Sequence, residues 1–239
     1  MKTQRITICC IIALLAAYHV AHSRDQSFIL RSPDGSLRVN ISIANEIKWN
    51  LLHRNDTVLD WSTISLAIDG GKTLGNNPRL RDYDTRSVNR TIPSPLYKKS
   101  EVVDHFNELT LQFRNNFSLI FRAYNDGVAY RFATSIRGEI KVAWEECNLN
   151  LADNHMILAP YLESREQDVY ASSFESLYQN IRIADFDESQ LSYTPIIVDL
   201  GNGKKAAIME VDLEDYPGLF LKLNAVSYTH LTLPTKRIV

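Results

Sequence analysis

The chain has 239 residues, of which 45% are hydrophobic and 23% charged, an ordinary composition for one large globular domain. Its formal net charge of −2 argues against the strongly basic surface that nucleic acids or anionic membranes require. We therefore expect no nucleic-acid partner, and no membrane partner once the N-terminal segment described next has been removed.

Residues 1–23 have the layout of a secretory signal peptide. Two basic residues precede an apolar run over residues 6–17, and a small-x-small cleavage site follows at residues 21–23. The apolar run is too short to cross a bilayer comfortably. We expect cleavage at the end of this segment, which predicts an exported protein, periplasmic or secreted, whose domain covers residues 24–225.

Removal of that segment leaves Cys147 as the single cysteine of the chain. One thiol cannot form an internal disulfide, so the domain has to be stabilised by its core. We expect Cys147 to behave as a small buried hydrophobic residue rather than as a nucleophile.

Apolar residues alternate with polar ones in several segments that are separated by turn residues. One such segment, SLRVNISIAN, follows a Pro-Asp-Gly turn. Another, residues 109–121, has two arms around an Asn-Asn turn, and its inward residues are predicted to be Leu109, Leu111, Phe113, Phe117, Leu119 and Phe121. Many short strands joined by tight turns predict an all-β antiparallel sandwich with little helix.

Three segments call for separate predictions. The stretch FRAYNDGVAYRF, residues 121–132, predicts a hairpin in which Gly127 adopts a positive φ. Residues 72–101 are rich in charge and proline, and are predicted to be long surface connections. Residues 160–192 mix carboxylates with aromatic residues and show weak periodicity, which indicates a functional loop or a covering flap.

The C-terminal residues 226–239 differ in kind from the rest. For its first ten residues, VSYTHLTLPT, the back-translated DNA matches a transposon-end adapter used in library preparation. We expect this tail to be non-native, and the gene to continue beyond it.

The sequence contains no phosphate loop, no nucleophile elbow and no His or Cys pair at metal spacing. Four segments occur in the order and spacing of a known family: SPDGSLRVNI, VVDHFNELTLQF, FRAYNDGVAYRF and MEVDLEDYPGLFL. Over roughly residues 28–225, the chain resembles the N-terminal domain of glycoside hydrolase family 97.

This resemblance implies an N-terminal β-super-sandwich similar to galactose-mutarotase-like domains, followed by a catalytic (β/α)₈ barrel and a C-terminal β domain. It also implies an exported, calcium-dependent enzyme that hydrolyses α-glucosides or α-galactosides. The catalytic carboxylates of such enzymes lie in the barrel, so we assign no catalytic residue here and expect the isolated chain to be inactive. The implied partners are an oligosaccharide or α-glycoside substrate and the missing catalytic barrel of the same chain.

The resemblance also implies one metal ligand, because a glutamate of this N-terminal domain reaches a calcium ion held otherwise by barrel residues. Glu175, in SSFESLYQN, has the matching tyrosine three positions later and is the predicted ligand. The alignment leaves Glu163, Glu166 or Asp168 open as the ligand instead. Calcium prefers hard oxygen donors, so any of these carboxylates suits it.

Two functions of other classes remain open at this stage. The chain could be a stand-alone carbohydrate-binding β-sandwich module without catalysis, since aromatic loops bind sugars by stacking and hydrogen bonding. It could also be a purely structural or interaction domain, because a fold does not fix a function.

Overall fold

The computed structural model of the protein describes residues 25–96, 98–162, 174–214, 216, 218–223 and 230–232. Within these ranges the chain forms eighteen β-strands and one 3-10 helix, Ile183–Asp185. The strands, in chain order, are β1 (Gln26–Arg31), β2 (Leu37–Ile43), β3 (Ile47–His53), β4 (Asp56–Ile68), β5 (Lys72–Leu74), β6 (Leu80–Pro93), β7 (Glu101–Phe113), β8 (Phe117–Tyr124), β9 (Val128–Thr134), β10 (Val142–Cys147), β11 (Leu149–Leu151), β12 (Met156–Pro160), β13 (Tyr178–Arg182), β14 (Ser192–Tyr193), β15 (Ile196–Gly201), β16 (Lys204–Ile208), β17 (Phe220–Leu223) and β18 (His230–Thr232).

The strands pair into three sheets, and every pairing among the described residues is antiparallel. The large sheet has the order β1-β2-β3-β4-β11-β18-β17-β14, and β5 and β10 also pair with β4. The hairpin sheet has the order β6-β7-β8-β9, and the small sheet has the order β13-β12-β15-β16. Neighbours in sequence are mostly neighbours in space, as short connections favour.

The core lies between the inner faces of these sheets. Trp49 of the large sheet contacts Phe121 and Tyr130 of the hairpin sheet, with both ring-centroid distances at 5.8 Å. The same cluster includes Ile157 and Ile196 of the small sheet. A β-strand can bury only one side chain in two, so this packing requires the alternation seen in the sequence.

The prediction of an all-β antiparallel super-sandwich is confirmed. The six residues predicted to face inward between positions 109 and 121 are all buried. The strand β2 shows the same agreement, because its burial alternates without interruption from its first residue to its last. Cys147 is buried as well, and burial raises the pKa of its thiol to about 12, which makes it a poor nucleophile.

The prediction of surface connections over residues 72–101 is wrong for most of that segment. It contains β5 and the fourteen-residue strand β6, which pairs with β7 along its whole length. β6 is one of the two edge strands of the hairpin sheet and is exposed on both faces for most of its length, so its sequence shows no alternation. Charged residues on an exposed edge also prevent pairing with other chains.

The hairpin at residues 121–132 is confirmed, but the predicted role of Gly127 is wrong. β8 and β9 pair in register, and the N–H of Tyr124 donates to the carbonyl of Gly127 over 2.8 Å. Gly127 does not adopt a positive φ, unlike Asn116 in the preceding turn, whose φ is 61°. The three-residue connection closes without a left-handed residue, and Asn125 accepts a hydrogen bond from the N–H of Asp34.

Two predicted segments are largely outside the described residues. Residues 1–24 are not described, so the signal peptide stays a prediction. In the segment 226–239 the described part is β18, which pairs with β11 and β17, and the non-native origin of this tail also stays a prediction. No helix of the described residues is long and apolar enough to cross a membrane.

Candidate active-site rim

A cleft of about 630 Å³ opens where β12, β13 and β14 approach one another. It lies within the segment 160–192, for which the sequence predicts a functional loop or flap. Seven residues line it: Tyr161, Ser176, Leu177, Tyr178, Gln179, Asp187 and Gln190. Aromatic rings beside amide and carboxylate groups are the usual lining of a site for a polar organic ligand.

Strand pairing brings the two walls of this cleft together. β12 and β13 pair so that Tyr178 lies opposite Pro160, and Tyr161 forms an isolated bridge with Ser192. The buried hydroxyl of Ser192 donates to the carbonyl of Pro160 over 2.6 Å, which fastens β14 to the end of β12.

The segment 174–178, which carries the predicted metal ligand, is held in its middle and at its C-terminal end by tyrosine hydroxyls. The hydroxyl of Tyr193 donates to the carbonyl of Ser176, and the hydroxyl of Tyr178 donates to the carbonyl of Pro195, each over 3.1 Å. The ring of Phe174 lies 4.7 Å from that of Tyr193. This rim is therefore anchored by specific contacts, although it has no regular secondary structure before β13.

The opposite wall is a tight turn organised by Asp187. Its carboxylate accepts hydrogen bonds from the N–H and the hydroxyl of Ser189, at 2.9 and 2.6 Å, and from the side-chain amide of Gln190 at 2.9 Å. These bonds, with that from the Ser189 hydroxyl the strongest, lower the pKa of Asp187. The N–H of Asp187 in turn donates to the hydroxyl of Tyr161 over 2.8 Å.

Glu175 lies on this rim with an exposed side chain, between Phe174 and the cleft-lining residue Ser176. The alternative ligands Glu163, Glu166 and Asp168 all lie outside the described residues. No group of three or more His, Cys, Asp or Glu side chains suited to a metal occurs in the described part of the chain. A calcium ion at Glu175 would therefore need further oxygen ligands from elsewhere, since calcium takes six to eight.

Sequence reasoning identified the segment but missed most of the cleft residues. Tyr161, Asp187 and Gln190 were not predicted, because they become neighbours only through the pairing of short strands. One local signal existed: Asp187 followed two residues later by Ser189 is the pattern of a side-chain-stabilised turn.

The comparisons with known proteins agree with this architecture. The family model described as the N-terminal domain of glycosyl hydrolase 97 matches residues 30–236. The chain belongs to glycoside hydrolase family 97. The match covers most of the chain, and it includes every strand of the cleft.

A retaining α-galactosidase of Bacteroides thetaiotaomicron is 32% identical over 246 aligned residues, which cover the whole chain and 36% of that enzyme. A family 97 enzyme from Pseudoalteromonas sp. strain K8, solved in complex with acarbose, is 21% identical with a TM-score of 0.73, and the match covers 87% of this chain and 32% of that one. A β-arabinopyranosidase structure is 20% identical with a TM-score of 0.75, covering 87% and 35%.

The chain thus spans about a third of the length of the relatives it matches. The matched region is the N-terminal domain of family 97 enzymes.

Proposed function

We propose that this chain is the active-site-completing, carbohydrate-binding N-terminal domain of an exported calcium-dependent α-glycoside hydrolase. The observation that carries the proposal is the rim segment 174–178, which presents Glu175 beside a cleft in a domain of a glycoside hydrolase family. The substrate is an oligosaccharide or α-glycoside. Relatives solved with acarbose and with panose support this substrate class.

The exposed apolar residues around the rim support a covalently linked catalytic barrel. Phe174 is 61% exposed and Leu177 is 87% exposed, although both are large and apolar. Met209 and Val211 are also exposed, and between them Glu210 accepts a hydrogen bond from Thr194, next to Tyr193 of the rim. Adjacent exposed apolar side chains usually mark a surface that another part of the protein covers.

Glu175 fits a calcium ion as a single ligand. Its carboxylate is a hard oxygen donor, it is exposed, and the anchored rim fixes the backbone around it. The remaining ligands would come from the barrel. Calcium held there would supply a fixed positive charge near the substrate, while Tyr161 and Tyr178 would bind the sugar by stacking and hydrogen bonding.

The proposal is tested by Glu175→Gln in the full-length enzyme. The variant keeps the size of the side chain but removes the charge that calcium needs. We expect a lower calcium affinity, a calcium-activation midpoint at least about tenfold higher, and an unchanged unfolding midpoint in the presence of chelator. Calcium titration of activity and calorimetry measure these quantities.

The matched control is Glu188→Gln, which removes a carboxylate of the opposite wall without touching the rim segment. It should leave the calcium dependence unchanged. The variants Glu163→Gln, Glu166→Gln and Asp168→Asn test the alternative ligands. Unaltered calcium dependence in Glu175→Gln would refute its assignment as ligand.

The stand-alone module is the second candidate, favoured by the fact that the cleft forms within this chain alone. Neither function predicts turnover of chromogenic α-glucosides or α-galactosides by the purified chain, so the two are separated by the source DNA that follows the codon for Ala225. A continuation that encodes a barrel supports the first function, and a stop codon there supports the module. Turnover abolished by mutating rim carboxylates would overturn the proposal.

A further inference from the structure

A second feature lies on the outer face of the large sheet. Inward residues of β4, such as Ile64 and Leu66, pack in the core, so Thr63, Ser65 and Ala67 point outward. Because these three side chains are small, they form a strip along β4 that protrudes little from the sheet.

Polar side chains beside this strip are fixed by cross-strand hydrogen bonds. Glu146 of β10 accepts from the hydroxyl of Thr63 at 2.7 Å, from that of Ser65 at 2.8 Å, and from the amide of Asn148 at 2.9 Å. Asn150 of β11 donates to the backbone carbonyl of Trp61 over 2.6 Å. The polar groups are therefore held in place before any ligand arrives, which lowers the entropy cost of binding.

An exposed tryptophan lies at each end of the strip. Trp61 on β4 is 42% exposed and Trp144 on β10 is 40% exposed. Trp144 pairs with Ala67, and Glu146, two residues further, pairs with Ser65, so Trp144 and Glu146 share the outward face. Ala67 is six residues beyond Trp61 along β4, which places the two tryptophans roughly 16–20 Å apart along the strand.

We infer that this face, defined by Trp61, Thr63, Ser65, Trp144 and Glu146, is a surface-binding platform for a neutral α-linked hexose oligosaccharide. Tryptophan rings bind the apolar faces of sugar rings, while amides, hydroxyls and a carboxylate bind sugar hydroxyls as donors and acceptors. The spacing of the tryptophans fits a chain of several hexose units rather than one sugar. The choice of an α-linked oligosaccharide rests on the proposed function.

Other occupants suit this face less well. The carboxylate of Glu146 has three donors around it, and the nearby Lys48 pairs with Glu46 over 3.3 Å, so no surplus of positive charge is available for a polyanion. The apolar surface expected to contact a barrel lies at the cleft rim and its neighbours, whereas the strip between the tryptophans is polar. A neutral, hydroxyl-rich chain matches the platform best.

The test is calorimetric binding of maltotetraose and of glucose to the full chain and to variants. The wild type should bind maltotetraose more tightly than glucose. Trp61→Ala and Trp144→Ala should each weaken maltotetraose binding about tenfold, the double variant should abolish it, and Trp61→Phe should retain most of it. Circular dichroism verifies that each variant is folded.

Matched controls separate the platform from the cleft. Tyr83→Ala removes an exposed aromatic residue from the hairpin sheet and should not change the affinity. Tyr178→Ala alters the cleft and should leave the tryptophan-dependent binding of maltotetraose intact. This result does not depend on whether Glu175→Gln changes the calcium dependence of the full-length enzyme. Equal affinity in all variants, equal affinity for glucose, or no binding of maltotetraose at millimolar concentration would overturn the inference.

Discussion

The hairpin sheet and the cleft rim use similar residues for opposite purposes. In the hairpin sheet, Phe117 and Phe121 are buried and the sheet pairs over long, regular strands. At the rim, Phe174 and Tyr178 are exposed, and the regular pairing among the described residues beside them comes from the five-residue strand β13 and the two-residue strand β14. The first region is stabilised by packing, and the second by individual hydrogen bonds.

This difference indicates that the sheets supply the stability of the domain and that the rim supplies groups for binding. A continuous antiparallel sheet buries alternate side chains and supplies the free energy of folding. The rim can then present exposed aromatic and acidic groups, because the sheets behind it carry the stability. Binding residues commonly lie on such irregular segments, positioned by a rigid scaffold.

The largest expected effect comes from removing one aromatic ring in each region. Phe121→Ala should lower the free energy of unfolding by about 3–5 kcal/mol, because it leaves a cavity beside Trp49 and Tyr130. Phe174→Ala deletes the same ring at the rim, where it is mostly exposed, and should cost under about 1 kcal/mol. Urea unfolding of both variants measures the contrast. Similar losses of unfolding free energy in the two variants would contradict the distinction between a stabilising scaffold and an exposed rim.

A smaller effect is expected at the buried carboxylate of the hairpin sheet. The carboxylate of Glu108 accepts hydrogen bonds from the Nε–H groups of Arg86 and Arg122, each at 2.6 Å. The guanidinium of Arg122 also lies 4.5 Å from the ring centroid of Phe106. Burial alone would raise the pKa of Glu108, but the two guanidinium groups outweigh it and the pKa is lowered below its ordinary value of 4.5. Glu108→Gln should cost about 1–3 kcal/mol at pH 7.

The pH dependence of the stability loss in Glu108→Gln follows from the lowered pKa of Glu108. A carboxyl group with a lowered pKa stabilises the folded state above its unfolded pKa and loses this contribution as the pH falls through its folded pKa. The difference between wild type and Glu108→Gln should therefore be constant near neutrality and shrink at pH values below 4.5. Glu46→Gln, at an exposed ion pair with Lys48, is the control and should change stability little at any pH. A difference that persists at low pH would exclude the ion-pair explanation.

The same contrast explains what the sequence could predict. Residues 109–121 form two strands that pair with each other locally, so their alternation determined which side chains are buried. The edge strand β6 has no buried face, so its residues show no alternation by which a strand could be recognised. Tyr161 and Asp187 of the cleft meet through pairings between short strands, which a single sequence does not encode locally. Glu175 is proposed as a ligand from the family resemblance, and its own surroundings in the sequence did not indicate it.

The smallest expected effect lies in the Asp187 turn of the cleft. Asp187→Ala removes the acceptor of the Ser189 N–H, the Ser189 hydroxyl and the Gln190 amide, but the residue is exposed. We expect an unchanged urea midpoint and faster amide hydrogen exchange at Ser189. In the wild type, the protection of that amide should persist down to the lowered pKa of Asp187, below the ordinary value of 3.8, and decline as the carboxylate takes up a proton. Asp199→Ala, which removes the equivalent bond to the N–H of Gly201 in the small sheet, should leave Ser189 protection unchanged. Loss of global stability in Asp187→Ala would instead show that this turn is part of the scaffold, because losing the local bonds to Ser189 and Gln190 should let the turn open without unfolding the sheets.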